Sequence, residues 1–407
     1  VNVDQLKQKL SSAFGEIEVE VEGPLAASGA GLRIHGISLE LPMDFNQAAC
    51  LLDALAWFRI VSLPGQDLNE RSLPHLERFA NHFGAPVPHP SNFLRAGKPG
   101  QQDGATDGEI EIRPVEQRMA ARVNAAFPGE LMCLEHESPA VLVVSNVQTN
   151  PETPGRFSEK PPTVISGGTW HTDIEYEPIP LQVSMFLVHQ MPVVKGNDGH
   201  WISLPDDDVA KTRYYEGSSE ELMRKRIAMP VDGQTAFVDT VAAWEALPES
   251  EQKRLKKMRV RRRLNTGDKG WLAPIVRTHP RSGLTGLHSP IWASRPRVRP
   301  PVVVEGMTEA ASQSVLDEVE AHVLSPEFRY DHFHTPGDVT IWDNTLTLHN
   351  SPPMKTRIRS VDDARLLYRI SCKGPDREKL PREDDPEWLT EHVSLGYSTP
   401  DEILSLR

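Results

Sequence analysis

Residues 167–180 read GGTWHTDIEYEPIP. Two glycines lead into a stretch with no helical apolar spacing, so it is expected to run extended. In an extended chain residues i and i+2 share a face, which aims the imidazole of His171 and the carboxylate of Asp173 at one point. By itself a histidine with an acid two positions on is a weak signal. A second pair with that spacing, His75 and Glu77, sits in residues 69–83 (NERSLPHLERFANHF), where apolar positions recur with helical period. On a helix i and i+2 diverge, so only His171 and Asp173 can converge on an ion.

Further along, residues 337–344 (GDVTIWDN) read as a strand, and His349 follows shortly after it. Taken alone His349 fits a structural histidine equally well. Two imidazoles and one carboxylate, however, make a facial set that leaves metal positions open, which suits iron(II) with a co-substrate and oxygen. Residues 364–373 (ARLLYRISCK) read as another strand. Arg365 and Arg369 are four apart on it and share a face. A guanidinium fork matches a carboxylate with two parallel charged hydrogen bonds.

The rest of the chain supplies walls and covers. Residues 44–58 read as a helix capped by Asp44, 59–65 as a strand, and 69–83 as a second helix closed by Gly84. Strands are expected at 141–147 and 181–190. A single helix is expected over 242–258, after TAFVDT (235–240). Insertions are placed near 95–113, 149–164 and 193–230, the last with its own short helix (SSEELMRKRIA), and a polar tail covers 374–407. The 35 prolines are scattered between short apolar runs, the punctuation of a strand-rich protein with many turns. The expected fold is mainly β with added helices, a double-stranded β-helix (jelly-roll, cupin-like) barrel, in one domain spanning 1–407.

Composition narrows the classes. A formal net charge of −13 argues against a nucleic-acid partner, which requires a basic face. The basic run RLKKMRVRRR (254–263) reads as a solvated helix end entering a strand. Cys50, Cys133 and Cys372 have no metal-type or redox-type spacing and fit a reducing compartment. No apolar run is long enough to span a membrane, and VNVDQLKQKL lacks the apolar core of a secretory signal. A cytoplasmic protein acting on a small molecule is expected, without nucleic-acid or membrane partners; a homo-oligomer stays open.

Five blocks in one order carry a more specific signal. Residues 59–84, 167–180, 232–255, 273–287 and 336–350 together resemble the taurine catabolism dioxygenase (TauD/TfdA-like) family of Fe(II)/2-oxoglutarate-dependent dioxygenases. The resemblance implies an oxidoreductase that uses Fe(II), O2 and 2-oxoglutarate as co-substrate. It implies His171, Asp173 and His349 as the catalytic metal ligands. It implies Thr235, from a Gly-x-Thr segment, and Arg365 as the holders of the distal carboxylate. Arg369 falls on the substrate side, with Ile174 beside it. Hydroxylation of a small organic substrate, with release of succinate and CO2, is the expected outcome. Desaturation, cyclisation and C–heteroatom cleavage use the same oxidant.

Two spacings depart from the family. Sixteen positions separate His349 from Arg365 and 62 separate Asp173 from Thr235, both enlarged, and Arg357 and Arg359 in the first gap are rival cations. Outside the family, a zinc hydrolase on the same three ligands would not need Arg365 or Thr235, and a non-catalytic barrel binding a small acid is a third class; iron- and oxygen-dependent succinate formation separates the dioxygenase from both.

Overall fold

The structure is a computed structural model that describes residues 1–88, 94–95, 110–111, 115–147, 170–173, 179–193, 219–230, 233–262, 271–288, 302–350, 358 and 360–375. Ile174, Arg357, Arg359, most of the three insertions and nearly all of the tail lie outside the described residues.

Ten strands build two facing sheets: β1 (Glu20–Glu22), β2 (Leu32–His35), β3 (Ile60–Leu63), β4 (Leu142–Ser145), β5 (Val183–Gln190), β6 (Thr235–Asp239), β7 (Arg329–His332), β8 (Val339–Asp343), β9 (Thr347–Asn350) and β10 (Leu366–Cys372). The larger sheet has seven strands in the order β1-β2-β3-β8-β5-β10-β4, and the smaller has three, β7-β6-β9. Strands were expected at 59–65, 141–147, 181–190, 337–344 and 364–373, and β3, β4, β5, β8 and β10 occupy them.

Period-two side-chain alternation sorts each strand's residues between two environments. On β10, Leu366, Tyr368, Ile370 and Cys372 face outward into an apolar cluster with the helices α1 (Val3–Phe14), α2 (Phe45–Phe58) and α3 (Ser72–Ala80). Leu367 faces the other way, into a small cluster between the sheets with Ile60, Phe186, Val188, Phe237 and Trp342. The outer face of the smaller sheet, through Ala236, Val238 and Leu348, joins a third cluster. That cluster includes residues of α4 (Glu220–Ile227), α5 (Thr240–Glu245), α6 (Glu249–Lys256) and α7 (Glu309–Val323). The molecule is therefore layered as helices, large sheet, interior, small sheet, helices.

Local sequence explains the entry points. Asp44 and Gln47 form a reciprocal capping box at the start of α2, each side chain accepting the other's backbone N–H at 2.9 Å. The helix ends at Arg59, which takes φ 66°, uncommon for a residue with a side chain. Its guanidinium is held by the Asp239 carboxylate at 2.6 Å, which ties the end of α2 to the smaller sheet. Gly337, at φ +86°, opens β8 where a Cβ would lie 2.7 Å from the Gln66 carbonyl oxygen.

One expectation is corrected. The helix expected over 242–258 is two, α5 and α6, because Pro248 stands at the N-cap of the second and cannot donate inside a helix. Among the described residues no barrel closes: the two sheets share an interior through side chains and remain separate ladders. The basic run does pass from α6 into a strand, Arg259–Arg262, as read. The helix expected at 218–228 is α4, capped by Ser219. No helix among the described residues is long and apolar enough to cross a membrane.

Candidate metal and co-substrate site

The inner faces of the two sheets are buried yet polar. Ser184, Ser371, Thr235, Thr340, His332, His334, His349 and Arg365 are each less than a tenth exposed. A buried polar cluster is more informative than a buried apolar one, since it costs free energy unless it is paired or used.

β-pairing assembles this interior in rows. His349 lies opposite Phe237, and Phe237 lies opposite Tyr330. On the far side of β9, His171 forms an isolated antiparallel bridge with His349. Directly opposed residues share a face, so the two imidazoles meet, with ring centroids 4.3 Å apart. Asp173, two residues on, joins them. The three residues each offer a ligand atom within 4.8 Å of the others. Oδ1 of Asp173 lies 3.8 Å from Nε2 of His171 and 3.6 Å from Nε2 of His349. His349 and Asp173 are buried, whereas the His171 side chain is 27% exposed, so the cluster opens to solvent on that side.

The carboxylate is oriented by partners that sequence reading missed. Oδ2 of Asp173 accepts from Ser184 Oγ at 2.6 Å, and that oxygen accepts from Asn344 Nδ2 at 2.9 Å. Asn344 Oδ1 accepts in turn from the Trp342 indole at 3.1 Å. Arg369 Nη2 donates to Oδ1 at 2.7 Å and Arg369 Nε to Ser371 at 3.3 Å. Burial alone would raise the Asp173 carboxyl; the Arg369 guanidinium, helped by His349 and His171, outweighs it and holds the group well below the usual carboxylate range. Asp173 is thus ionised, and Oδ1 keeps a second lone pair that an ion could take.

The donor set fits a divalent transition metal. An ion bonded at about 2.1 Å to imidazole nitrogen and carboxylate oxygen bridges donors up to about 4.2 Å apart, which covers both nitrogen–oxygen pairs. Two imidazoles and one carboxylate leave other coordination positions free.

A second row lies two residues back along β6, about 7 Å away. There Thr235 opposes His332, and Thr235 Oγ1 receives Arg365 Nη2 at 3.5 Å. Arg365 is 1% exposed and its Nε has no hydrogen-bond partner among the described residues. Its backbone is pinned by Asn146, whose Oδ1 accepts the Arg365 N–H at 2.7 Å. The guanidinium lies over the Phe186 ring, 6.0 Å from its centre. Burial lowers Arg365 to about 10, so it stays a cation at neutral pH. Two other buried arginines have a carboxylate partner: Arg59 has Asp239 and Arg226 has Glu320. No carboxylate pairs with Arg365 among the described residues. Arg365 and Arg369 face the same interior, the first at the Thr235 row and the second at the metal row. The β-bulge between β5 and β10 lies opposite Leu366 and Leu367 and leaves the alternation of β10 unbroken.

The family model described as taurine catabolism dioxygenase TauD, TfdA family matches residues 222–370. This span holds Thr235, His349, Arg365 and Arg369. The match spans 149 of the chain's 407 residues, and over that span the chain is similar to the TauD/TfdA family. Pentalenolactone F synthase of Streptomyces arenae is 31% identical to this chain over 137 residues, 29% of this chain and 46% of that protein. The α-ketoglutarate-dependent 2,4-dichlorophenoxyacetate dioxygenase of Cupriavidus pinatubonensis is 32% identical over 139 residues, 30% of this chain and 46% of that one. The chain spans about half the length of these curated relatives, 46% in each case. A crystal structure of a taurine dioxygenase from Burkholderia xenovorans shares the fold, with a TM-score of 0.52 and 21% identity, covering 90% of this chain and 96% of that one.

Proposed function

We propose that this chain is an Fe(II)- and 2-oxoglutarate-dependent dioxygenase that oxidises a small organic substrate, with hydroxylation as the default outcome. The observation that carries the reading is Arg365: a buried guanidinium with no carboxylate partner among the described residues, beside Thr235, one row from the His171–Asp173–His349 cluster. An unpaired buried charge is expensive, and a dicarboxylate whose other end reaches the metal row offsets that cost. A zinc hydrolase on the same ligands has no need of such a cation.

Each residue then has a task. His171, Asp173 and His349 hold the metal on one face. Iron(II) with 2-oxoglutarate supplies oxygen activation coupled to decarboxylation of the co-substrate to succinate and CO2. Arg365 and Thr235 bind the distal carboxylate and fix the co-substrate's direction. Ser184 and Arg369 hold the Asp173 carboxylate in place, a role that adds to the substrate-side one expected for Arg369. Phe237 and Trp342, with ring centroids 6.3 and 5.1 Å from His349, wall the inner side against water. Ile174 remains the proposed substrate contact.

We read the two sheets as the walls of a double-stranded β-helix in a single domain over 1–407. A cytoplasmic location rests on the three unbridged cysteines. The test is anaerobic loading with iron(II) and 2-oxoglutarate, then oxygen and a substrate screen read as succinate. Succinate release that needs iron, oxygen and 2-oxoglutarate supports the reading. Metal-dependent hydrolysis that needs neither oxygen nor 2-oxoglutarate overturns it.

A further inference from the structure

Behind Thr235 runs a buried chain of side chains that binding of a metal or a carboxylate does not by itself require. His334 Nε2 lies 2.8 Å from Thr235 Oγ1, and His334 Nδ1 lies 3.1 Å from Thr340 Oγ1. Thr340 Oγ1 is 3.2 Å from His332 Nε2, and His332 Nδ1 is 2.9 Å from the Tyr330 hydroxyl. The two imidazoles stack edge to face at 4.9 Å.

With the Thr340 hydrogen kept within the chain, donor and acceptor counting gives it two directions. A neutral imidazole has one donor and one acceptor nitrogen, a hydroxyl gives one hydrogen, and a guanidinium only donates. In one direction Tyr330 donates to His332, His332 to Thr340, Thr340 to His334, and His334 to Thr235. Thr235 Oγ1 then accepts from both His334 and Arg365, and its own hydrogen must point away from them into the interior. In the other direction Thr235 donates to His334 and turns only lone pairs toward the space beside Arg365. A carboxylate in that space repels those lone pairs and accepts the hydrogen of the first arrangement.

We propose that His334, backed by Thr340, His332 and Tyr330, is a positioning relay that makes the Thr235 hydroxyl an obligatory donor to the distal carboxylate of a dicarboxylic 2-oxo acid held by Arg365. The inference rests on the co-substrate reading and deepens it by assigning the direction of each hydrogen bond. Burial supports it by keeping both imidazoles neutral. His334 is held well below its usual value by burial, His332 and Arg365, and His332 falls to about 3 through burial and Arg33.

The experiment is calorimetric titration of the anaerobic Fe(II)-loaded protein with 2-oxoglutarate and with pyruvate, which keeps the 2-oxo acid end and lacks the distal carboxylate. His334→Phe is expected to weaken 2-oxoglutarate binding by about tenfold, the scale of a hydrogen bond to a charged group, and to leave pyruvate binding unchanged. His334→Gln, whose amide can donate to the same oxygen, should recover most of the loss. On a Thr235→Val background His334→Phe should add nothing. Equal losses for both acids, no loss, or an undiminished loss on the Thr235→Val background overturns the relay. Arg365→Ala separates the two levels. If it weakens 2-oxoglutarate while His334→Phe does not, the relay alone falls. If it does not weaken 2-oxoglutarate, the co-substrate reading falls and the relay with it. Should the His334 variants fail to fold, nitrogen-15 NMR of the histidine-labelled, zinc-loaded wild type decides. With 2-oxoglutarate bound, His334 protonated at Nε2 supports the relay and protonation at Nδ1 overturns it.

Discussion

His171 and His349 exchange both backbone hydrogen bonds across their bridge, N–H to O at 3.0 and 2.9 Å. The chain therefore sets the distance between the two imidazoles through its backbone, and Asp173 follows by strand periodicity. Removing a ligand side chain leaves that bridge intact. His349→Ala and Asp173→Ala are each expected to abolish iron binding and turnover while the circular dichroism spectrum stays that of the wild type. Iron stoichiometry near one in Asp173→Ala, with activity retained, would sink the assignment.

Ser184 and Arg369 grip the two oxygens of Asp173 separately. Loss of such an outer partner typically costs about 10- to 100-fold in metal affinity or activity. Ser184→Ala and Arg369→Ala should each weaken iron binding on that scale, with Arg369→Lys partly restoring it. Competition against a calibrated chelator measures this. An Arg369→Ala protein with normal iron affinity and only a changed substrate affinity would return Arg369 to the substrate side alone.

The clustering of His171, Asp173 and His349 was legible because its signal is local: His171 and Asp173 sit two apart on an extended segment, and His349 follows a strongly strand-like run. Arg365 was legible from its place on the last strand. Ser184, Asn344 and His334 were not. Ser184 looks like any strand serine, and its role arises from Asp173 eleven residues away and Asn344 160 residues away. His334 meets Thr235 across 99 positions. Sheet pairing creates these contacts, and no spacing in the chain announces them. The break between α5 and α6 was legible in Pro248, which the apolar period on either side outweighed.

Stability should fall in acid through the buried imidazoles. His332 is lowered from 6.5 to about 3. Between those values the unfolded chain takes up a proton that the folded one refuses, so stability present above pH 6.5 is lost as pH drops. For His332 the full loss is on the order of 3–5 kcal/mol. Denaturant midpoints at several pH values should show His332→Gln less sensitive to acid than wild type, by close to one proton. Parallel curves for the two proteins would show that His332 titrates normally when folded.

Arg226 of α4 and Glu320 of α7 form a bidentate pair at 2.5 Å on both arms, with the carboxylate fully buried. The Arg226 carbonyl also accepts from the Trp170 indole at 3.2 Å, one residue before His171. The pair thus anchors the helix that precedes β6 and touches the metal segment. Breaking a buried pair leaves a charge without compensation and costs about 3–5 kcal/mol, whereas replacing both members with apolar residues is often neutral. Glu320→Leu and Arg226→Met should each destabilise on that scale, and the double variant should recover most of the loss. Urea unfolding of the four proteins in a double-mutant cycle measures the coupling. Additive losses would mean that Asp317, 3.6 Å from Arg226, and not Glu320, carries the compensation.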